Sequence, residues 1–171
     1  EQWMYGDPTS FDLRCALAKK HNISTKNIVV GEGIDGLLGY VVRLLISEGD
    51  QVVTSNGAYP TFNYHVSGFG GNLHKVPYLA DCEDIVSLIK KAHSVDAKLI
   101  YFANPDNPMG THVPGDKIVE VLKDLPEGCL FILDEAYSEF APAASLPDLE
   151  ITDARVVRLR TFSKAYGMAG A

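Results

Sequence analysis

Cysteine is scarce, and what there is lies scattered: Cys15, Cys82 and Cys129 stand far apart in a chain of 171 residues. An odd, unclustered set builds neither a disulfide framework nor a zinc knuckle, so no metal ligands are expected and a reducing compartment suits it. Long apolar runs are lacking too. The longest, Leu37 to Ile46, is interrupted by Arg43 and falls well short of the roughly 20 residues a membrane helix needs. Positive charge is in deficit, with 15 Lys and Arg against 22 Asp and Glu, a formal net charge of −7. That balance argues against nucleic acid and against an anionic membrane surface, both of which call for clustered Lys and Arg. No signal peptide, repeat or low-complexity linker is evident, and the expected setting is the cytoplasm.

What is present suffices for one core-bearing domain spanning 1–171, given 46% hydrophobic residues. Period and breakers predict helices and strands in alternation. Ser10 is placed as the N-cap of a helix over Phe11–Lys20, and Ile28–Val30 as a short strand. Gly31–Gly36 reads as a glycine-rich turn before a helix over Leu37–Ser47. Further strands are expected at Gln51–Thr54, Asn72–Val76, Leu99–Ala103, Cys129–Leu133 and Arg155–Arg160, with helices at Thr61–Gly68, Cys82–His93 and Gly115–Leu125. The run Cys129–Leu133 is apolar on both faces, as a central parallel strand is. The fold class that follows is α/β, an open and mainly parallel sheet with right-handed crossovers and helices on its faces. In such sheets ligands gather beyond the carboxyl ends of the strands.

Five segments near those ends carry candidate chemistry. Gly31-Glu32-Gly33-Ile34-Asp35-Gly36 is formally a G-x-G-x-x-G dinucleotide fingerprint. The second strand, however, ends in Thr54-Ser55-Asn56 with no acid to hold a ribose. What survives is either a plain tight turn or a phosphate site at a helix N-terminus. Tyr59, Phe62 and Tyr64 can stack on a flat ring or simply pack in the core. Asn104-Pro105-Asp106-Asn107-Pro108-Met109-Gly110-Thr111 holds two Asn-Pro pairs, a stiff loop that can contain cis bonds and aims an amide as a donor. Asp134-Glu135-Ala136-Tyr137 closes the apolar strand. The metal-holding strand of P-loop ATPases also ends this way, but their G-x-x-x-x-G-K-[ST] is missing. A buried strand-end carboxylate is costly unless a cation pairs with it, and a protonated ring nitrogen is one such cation. Last comes Thr161-Phe162-Ser163-Lys164-Ala165-Tyr166-Gly167, where Lys164 is either an ordinary solvated lysine or an amine nucleophile toward a carbonyl.

Together these loops describe a ligand with a phosphate, a flat ring, a basic ring nitrogen, a phenolic oxygen and an aldehyde. Pyridoxal 5′-phosphate has all five. The three later motifs, in this order, resemble the large domain of fold-type I pyridoxal-phosphate aminotransferases, and most of all the histidinol-phosphate aminotransferase branch. The likeness runs from Tyr5-Gly6-Asp7-Pro8-Thr9-Ser10 to Ala171, with no signature between Asn72 and Asp96.

The resemblance implies a three-layer α/β/α domain and a role for each matching residue. Lys164 would be the Schiff-base lysine and proton shuttle, Asp134 the partner of the pyridine nitrogen, and Asn107 and Tyr137 the donors to the phenolic oxygen. Phe62 would stack on the ring. The backbone at Ile34 and Asp35, with the hydroxyls of Thr161 and Ser163, would cradle the phosphate. Tyr5 would reach the phosphate of the other subunit, which implies a homodimer. The implied reaction is transamination between an amino donor (an amino acid or amino-alcohol phosphate) and a 2-oxo acid acceptor. A lyase or decarboxylase on the same scaffold, or the cofactor-sensing part of a transcription regulator, are the alternatives. Met109 and Ile34-Asp35-Gly36 depart from the family pattern, and Gly36 loosens the phosphate loop. The chain opens on Glu1-Gln2-Trp3 and stops at Gly170-Ala171, so a longer protein is expected. The family's phosphate arginine and its carboxylate-gripping small domain would lie beyond, leaving this piece alone inactive.

Overall fold

The computed structural model describes residues 5–149 and 153–170; Glu1-Gln2-Trp3 and Ala171, on which the expectation of a longer protein leans, lie outside them. Five strands form one sheet: β1 (Gln51–Ser55), β2 (Asn72–Val76), β3 (Leu99–Ala103), β4 (Leu130–Asp134) and β5 (Val156–Leu159). They are ordered β2-β1-β3-β4-β5, and every neighbouring pair is parallel. Five helices are α1 (Phe11–His21), α2 (Gly33–Leu45), α3 (Thr61–Gly68), α4 (Ile85–Val95) and α5 (Gly115–Leu122).

The alternation of side chains along each strand divides the core in two. Val52, Leu99, Tyr101, Ala103 and Ile132 face one side, where Leu38 and Val42 of α2 and Phe62 and Val66 of α3 pack on them. Val53, Ile100, Phe102, Phe131 and Leu133 face the other, under Leu88, Ile89 and Ala92 of α4 and Ile118 and Leu122 of α5. Each such fully buried side chain contributes roughly 1.5–3 kcal/mol of transfer free energy. The result is the three-layer α/β/α arrangement. β3, buried at every position, is its middle strand.

Three local expectations are corrected. Ile28–Val30 is not a strand; it follows a 3-10 turn at Thr25–Asn27, and Val29 is exposed. Three apolar residues cannot enter a sheet without a neighbour to pair with. Gly31–Gly36 is not all turn, because α2 starts at Gly33, whose φ of 71° glycine adopts without a Cβ penalty. Ser10 sits at the N-cap of α1 with no side-chain cap bond. Asp7 supplies the cap instead, its Oδ2 accepting from the Phe11 N–H at 2.6 Å and its Oδ1 from the Thr9 N–H at 2.8 Å.

Candidate active site

Parallel strands with right-handed crossovers put their following loops on one edge of the sheet, and there the chain forms an open cavity of about 150 Å³. Its walls come from five places, the first four being Glu32 to Asp35 at the start of α2, Tyr59 after β1, Ala103, Pro105 and Asn107 around the end of β3, and Asp134, Ala136 and Tyr137 around that of β4. Tyr101 forms part of the floor, and Thr161, Ser163 and Lys164 after β5 complete the wall. Lys164 and Asp134 therefore face one cavity from the ends of different strands.

Asp134 ends β4 with its carboxyl group buried. Oδ2 accepts the Tyr101 hydroxyl at 2.7 Å and Oδ1 the Ala136 N–H at 2.9 Å. No ion pair among the described residues includes it. Burial pushes its pKa up, and the Asp35 and Glu135 charges push the same way, while the two hydrogen bonds pull it down. An unpaired carboxylate on the wall of a cavity is a place for a ligand cation.

At another part of the wall, the first-turn N–H groups of α2 at Ile34 and Asp35 have no intrahelical acceptor and carry the positive end of the helix dipole. The Thr161 and Ser163 hydroxyls are 2.8 Å apart, and the Ser163 N–H donates to Thr161 Oγ1 at 3.1 Å. Donors of this kind suit an anion. The Lys164 turn is closed by the Gly167 N–H on the Lys164 carbonyl at 3.1 Å and the Met168 N–H on the Phe162 carbonyl at 3.0 Å. Lys164 Nζ lies 5.6 Å from the centre of the Tyr137 ring and is the only cation lining the cavity among the described residues.

The Asn-Pro loop divides its labour. Asn104 is structural: its Nδ2 donates to the carbonyls of Val113 at 3.0 Å and Ser145 at 2.9 Å, and its Oδ1 accepts the Val113 N–H at 2.8 Å. Asn107 lines the cavity. Both Asn-Pro bonds are cis.

The cavity thus brings together Ile34, Asp35, Asn107, Asp134, Tyr137, Thr161, Ser163 and Lys164. Two expected residues are placed elsewhere. Phe62 does not face the cavity; it is fully buried and stacks on Tyr101, centroids 4.8 Å apart and planes within 16°. The first turn of α3 directs it into the core, and Tyr59, just before that helix, lines the wall instead. Tyr5 is fully exposed and not among the lining residues. Sequence reasoning missed Tyr101 and Glu32. A tyrosine inside the otherwise apolar strand Leu99–Ala103 was a usable signal for the first, since a buried phenol needs a partner; nothing marked Glu32.

A parallel α/β sheet gathers at its strand ends a lysine, an unpaired carboxylate and an anion-ready helix terminus around one hollow, the kind of arrangement that can hold a small charged ligand. The chain belongs to the family described as aminotransferase class I and II, whose model matches residues 4–171. It is 33% identical over 170 residues to histidinol-phosphate aminotransferase 1 of Bacillus thuringiensis subsp. konkukian, covering 97% of this chain and 45% of that protein. The crystal structure of histidinol-phosphate aminotransferase from Sinorhizobium meliloti, in complex with pyridoxal-5′-phosphate, is similar with a TM-score of 0.95 and 53% identity, over 99% of this chain and 47% of that one. L-threonine-O-3-phosphate decarboxylase from Porphyromonas gingivalis shares the fold, with a TM-score of 0.83 and 22% identity over 98% of this chain and 50% of that one. The chain spans about half the length of the curated relatives it matches.

Proposed function

We propose that the protein carrying this chain transfers amino groups with pyridoxal 5′-phosphate, taking an amino acid or amino-alcohol phosphate such as histidinol phosphate as donor and a 2-oxo acid as acceptor. The observation that carries this reading is the pairing of Asp134 and Lys164 across one cavity, the first a buried carboxylate without a cation, the second an amine. The residues present fit the cofactor. The first turn of α2 and the Thr161 and Ser163 hydroxyls would hold its phosphate, and Asp134 would hold its ring nitrogen. When bound, the cofactor supplies the electron sink that makes a substrate Cα–H acidic.

Everything else falls to the chain. Lys164 would hold the cofactor through its aldehyde, with loss of water, and with its amine free would accept and return a proton at Nζ. Asp134 keeps a positive charge on the ring nitrogen, because an anion in a low-dielectric wall favours the protonated partner. Asn107 and Tyr137 are the donors for the phenolic oxygen. Tyr59 and Tyr101 exclude water from the ring's surroundings. We also assign residues 1–171 to a single cofactor-binding large domain within a longer homodimeric chain, with Tyr5 serving the partner's site.

The test uses full-length protein and pyridoxal phosphate. A visible absorption band should appear that borohydride fixes to Lys164 by peptide mapping, and histidinol phosphate should bleach it. Turnover by a Lys164→Ala protein would eliminate the reading.

A further inference from the structure

Beside the cavity, but not part of it, two more carboxyl groups are buried with no cation to meet them. Glu83, in the segment before α4, and Asp106, in the Asn-Pro loop, are 3% and 4% exposed. Glu83 Oε1 accepts the Ala103 N–H at 3.0 Å and Oε2 the Ser55 hydroxyl at 2.5 Å, so it bridges the carboxyl ends of β3 and β1. Asp106 Oδ2 accepts the Tyr78 hydroxyl at 2.8 Å. Its Oδ1 is buried without an N–H or O–H of the protein to satisfy it. Ala103, whose N–H binds Glu83, stands three residues before Asp106, and the two carboxyl groups lie near enough for the charge of Asp106 to act on Glu83. Neither enters an ion pair among the described residues.

Two neighbouring carboxyl groups buried without a cation cannot both stay anionic in a dry site, and the unsatisfied Asp106 Oδ1 is an acceptor waiting for a proton donor. We propose that Glu83 and Asp106 share one proton as an acid–carboxylate pair, and that this pair latches the Asn107 loop onto the ends of β1 and β3. The proton satisfies the otherwise orphaned Asp106 Oδ1. From there the loop is tied together: the Asp106 N–H donates to the Thr111 carbonyl at 2.9 Å, the Gly110 N–H to the Asp106 carbonyl at 3.1 Å, and Thr111 Oγ1 to the Asp81 carbonyl at 3.1 Å. Asn107, the next residue, is carried to the cavity wall by this scaffold. Glu83 and Asp106 are thus positioning residues for the transamination read from the site, on which their catalytic relevance rests; the latch itself does not depend on it.

The other titratable groups around the pair are Tyr78 and Cys82 from the segment after β2, and Tyr101 of β3. None is a cation, and burial pushes both phenols up so that they remain hydrogen-bond donors. Burial is also what raises Glu83, with the Asp106 charge acting in the same direction. A carboxyl raised in the folded state contributes stability that is complete at low pH. That contribution is lost as pH climbs from the ordinary glutamic acid range through the raised folded value.

The test is amide exchange by NMR on the full-length protein without cofactor, between about pH 6 and pH 9. In wild type, protection at the Asp106 and Gly110 amides should fall as pH rises, by as much as tenfold per pH unit, the one-proton limit. Glu83→Gln should hold it level, because Nε2 donates to Asp106 Oδ1 at every pH while Oε1 still accepts the Ala103 N–H. Asp106→Asn should also be level, with the donor moved to the other side. The dissociation constant for pyridoxal phosphate should follow the same split. Equal pH responses in wild type and Glu83→Gln, or failure of both variants to fold, would overturn the latch. Failure of Lys164 to take up the cofactor would overturn the functional reading and leave the exchange result standing.

Discussion

Asp134 and Glu135 are adjacent, acidic and buried, and they live in opposite worlds. Glu135 turns to the α4/α5 side of the sheet, where Arg158 grips it with Nε to Oε2 at 3.0 Å and Nη2 to Oε1 at 2.6 Å, and Arg160 Nε adds a third bond at 3.1 Å. Its charge is fully answered by the protein. Asp134 turns to the α2/α3 side and finds a phenol and one backbone N–H, and no cation. Strand pleating alone sends neighbours to opposite faces. β5 then decides which face is neutralised, since Arg158 within it and Arg160 just past its end reach Glu135 while Leu159 faces the other core. One carboxylate is neutralised by the protein; the other is left without a cation.

That contrast can be broken or sharpened by substitution. Asp134→Asn should cost the full-length enzyme about 10³-fold in kcat, about 4 kcal/mol on the barrier, with covalent uptake at Lys164 retained. Steady-state kinetics beside borohydride trapping checks this. The same variant should be no less stable than wild type at neutral pH without cofactor. Asp134 is raised by burial, so its stabilising contribution is complete only while protonated and fades as pH rises above the ordinary aspartate range. Urea denaturation at several pH values reads that slope, and Asp134→Asn should flatten it.

Glu135→Gln is the mirror image. It leaves Arg158 and Arg160 short of a counter-charge and should lower stability by about 3 kcal/mol, since removing one member of a buried pair is far costlier than replacing the pair. Urea denaturation gives the loss, and kcat per folded molecule should change little. A smaller effect belongs to Tyr101→Phe, which deletes one hydroxyl bond to Asp134. It should cost about 1–1.4 kcal/mol, up to roughly tenfold in cofactor affinity, and raise the Asp134 pKa further, readable by carboxyl ¹³C NMR in the apo protein. Smallest of all is Lys117→Ala. Its exposed pair with Glu120 at 2.9 Å is screened by solvent, so thermal denaturation should barely move.

Much of this was legible from residues alone. The strand at Leu99–Ala103, the apolar run ending in Asp134, and the helix after Pro114 declare themselves through local periodicity and breakers, which need no tertiary knowledge. The site motifs were equally local, because a loop after a parallel strand must emerge at the ligand edge wherever the strand sits. Less legible was anything that depends on which way a ring or carboxyl turns. Phe62 and Tyr59 are three residues apart and both aromatic, yet the first turn of α3 buries Phe62 against Tyr101 while Tyr59, before the helix, lines the cavity. Ile28–Val30 looked like a strand by composition, but pairing is a property of neighbours. Glu83 carried no signature at all. Its role exists only because β1 and β3 lie side by side, with the loop bearing Asp106 folded over their ends.

The order of strands and helices, the edge at which chemistry collects, and the identity of the amine and the strand-end acid were written in the chain, since each depends on short-range pattern or on covalent adjacency. Which acid is neutralised, which aromatic faces the hollow, and which buried carboxyls come to lie near one another were settled only by the fold. Charge, burial and hydrogen bonding act through space, and the distances that set them are fixed when remote segments pack.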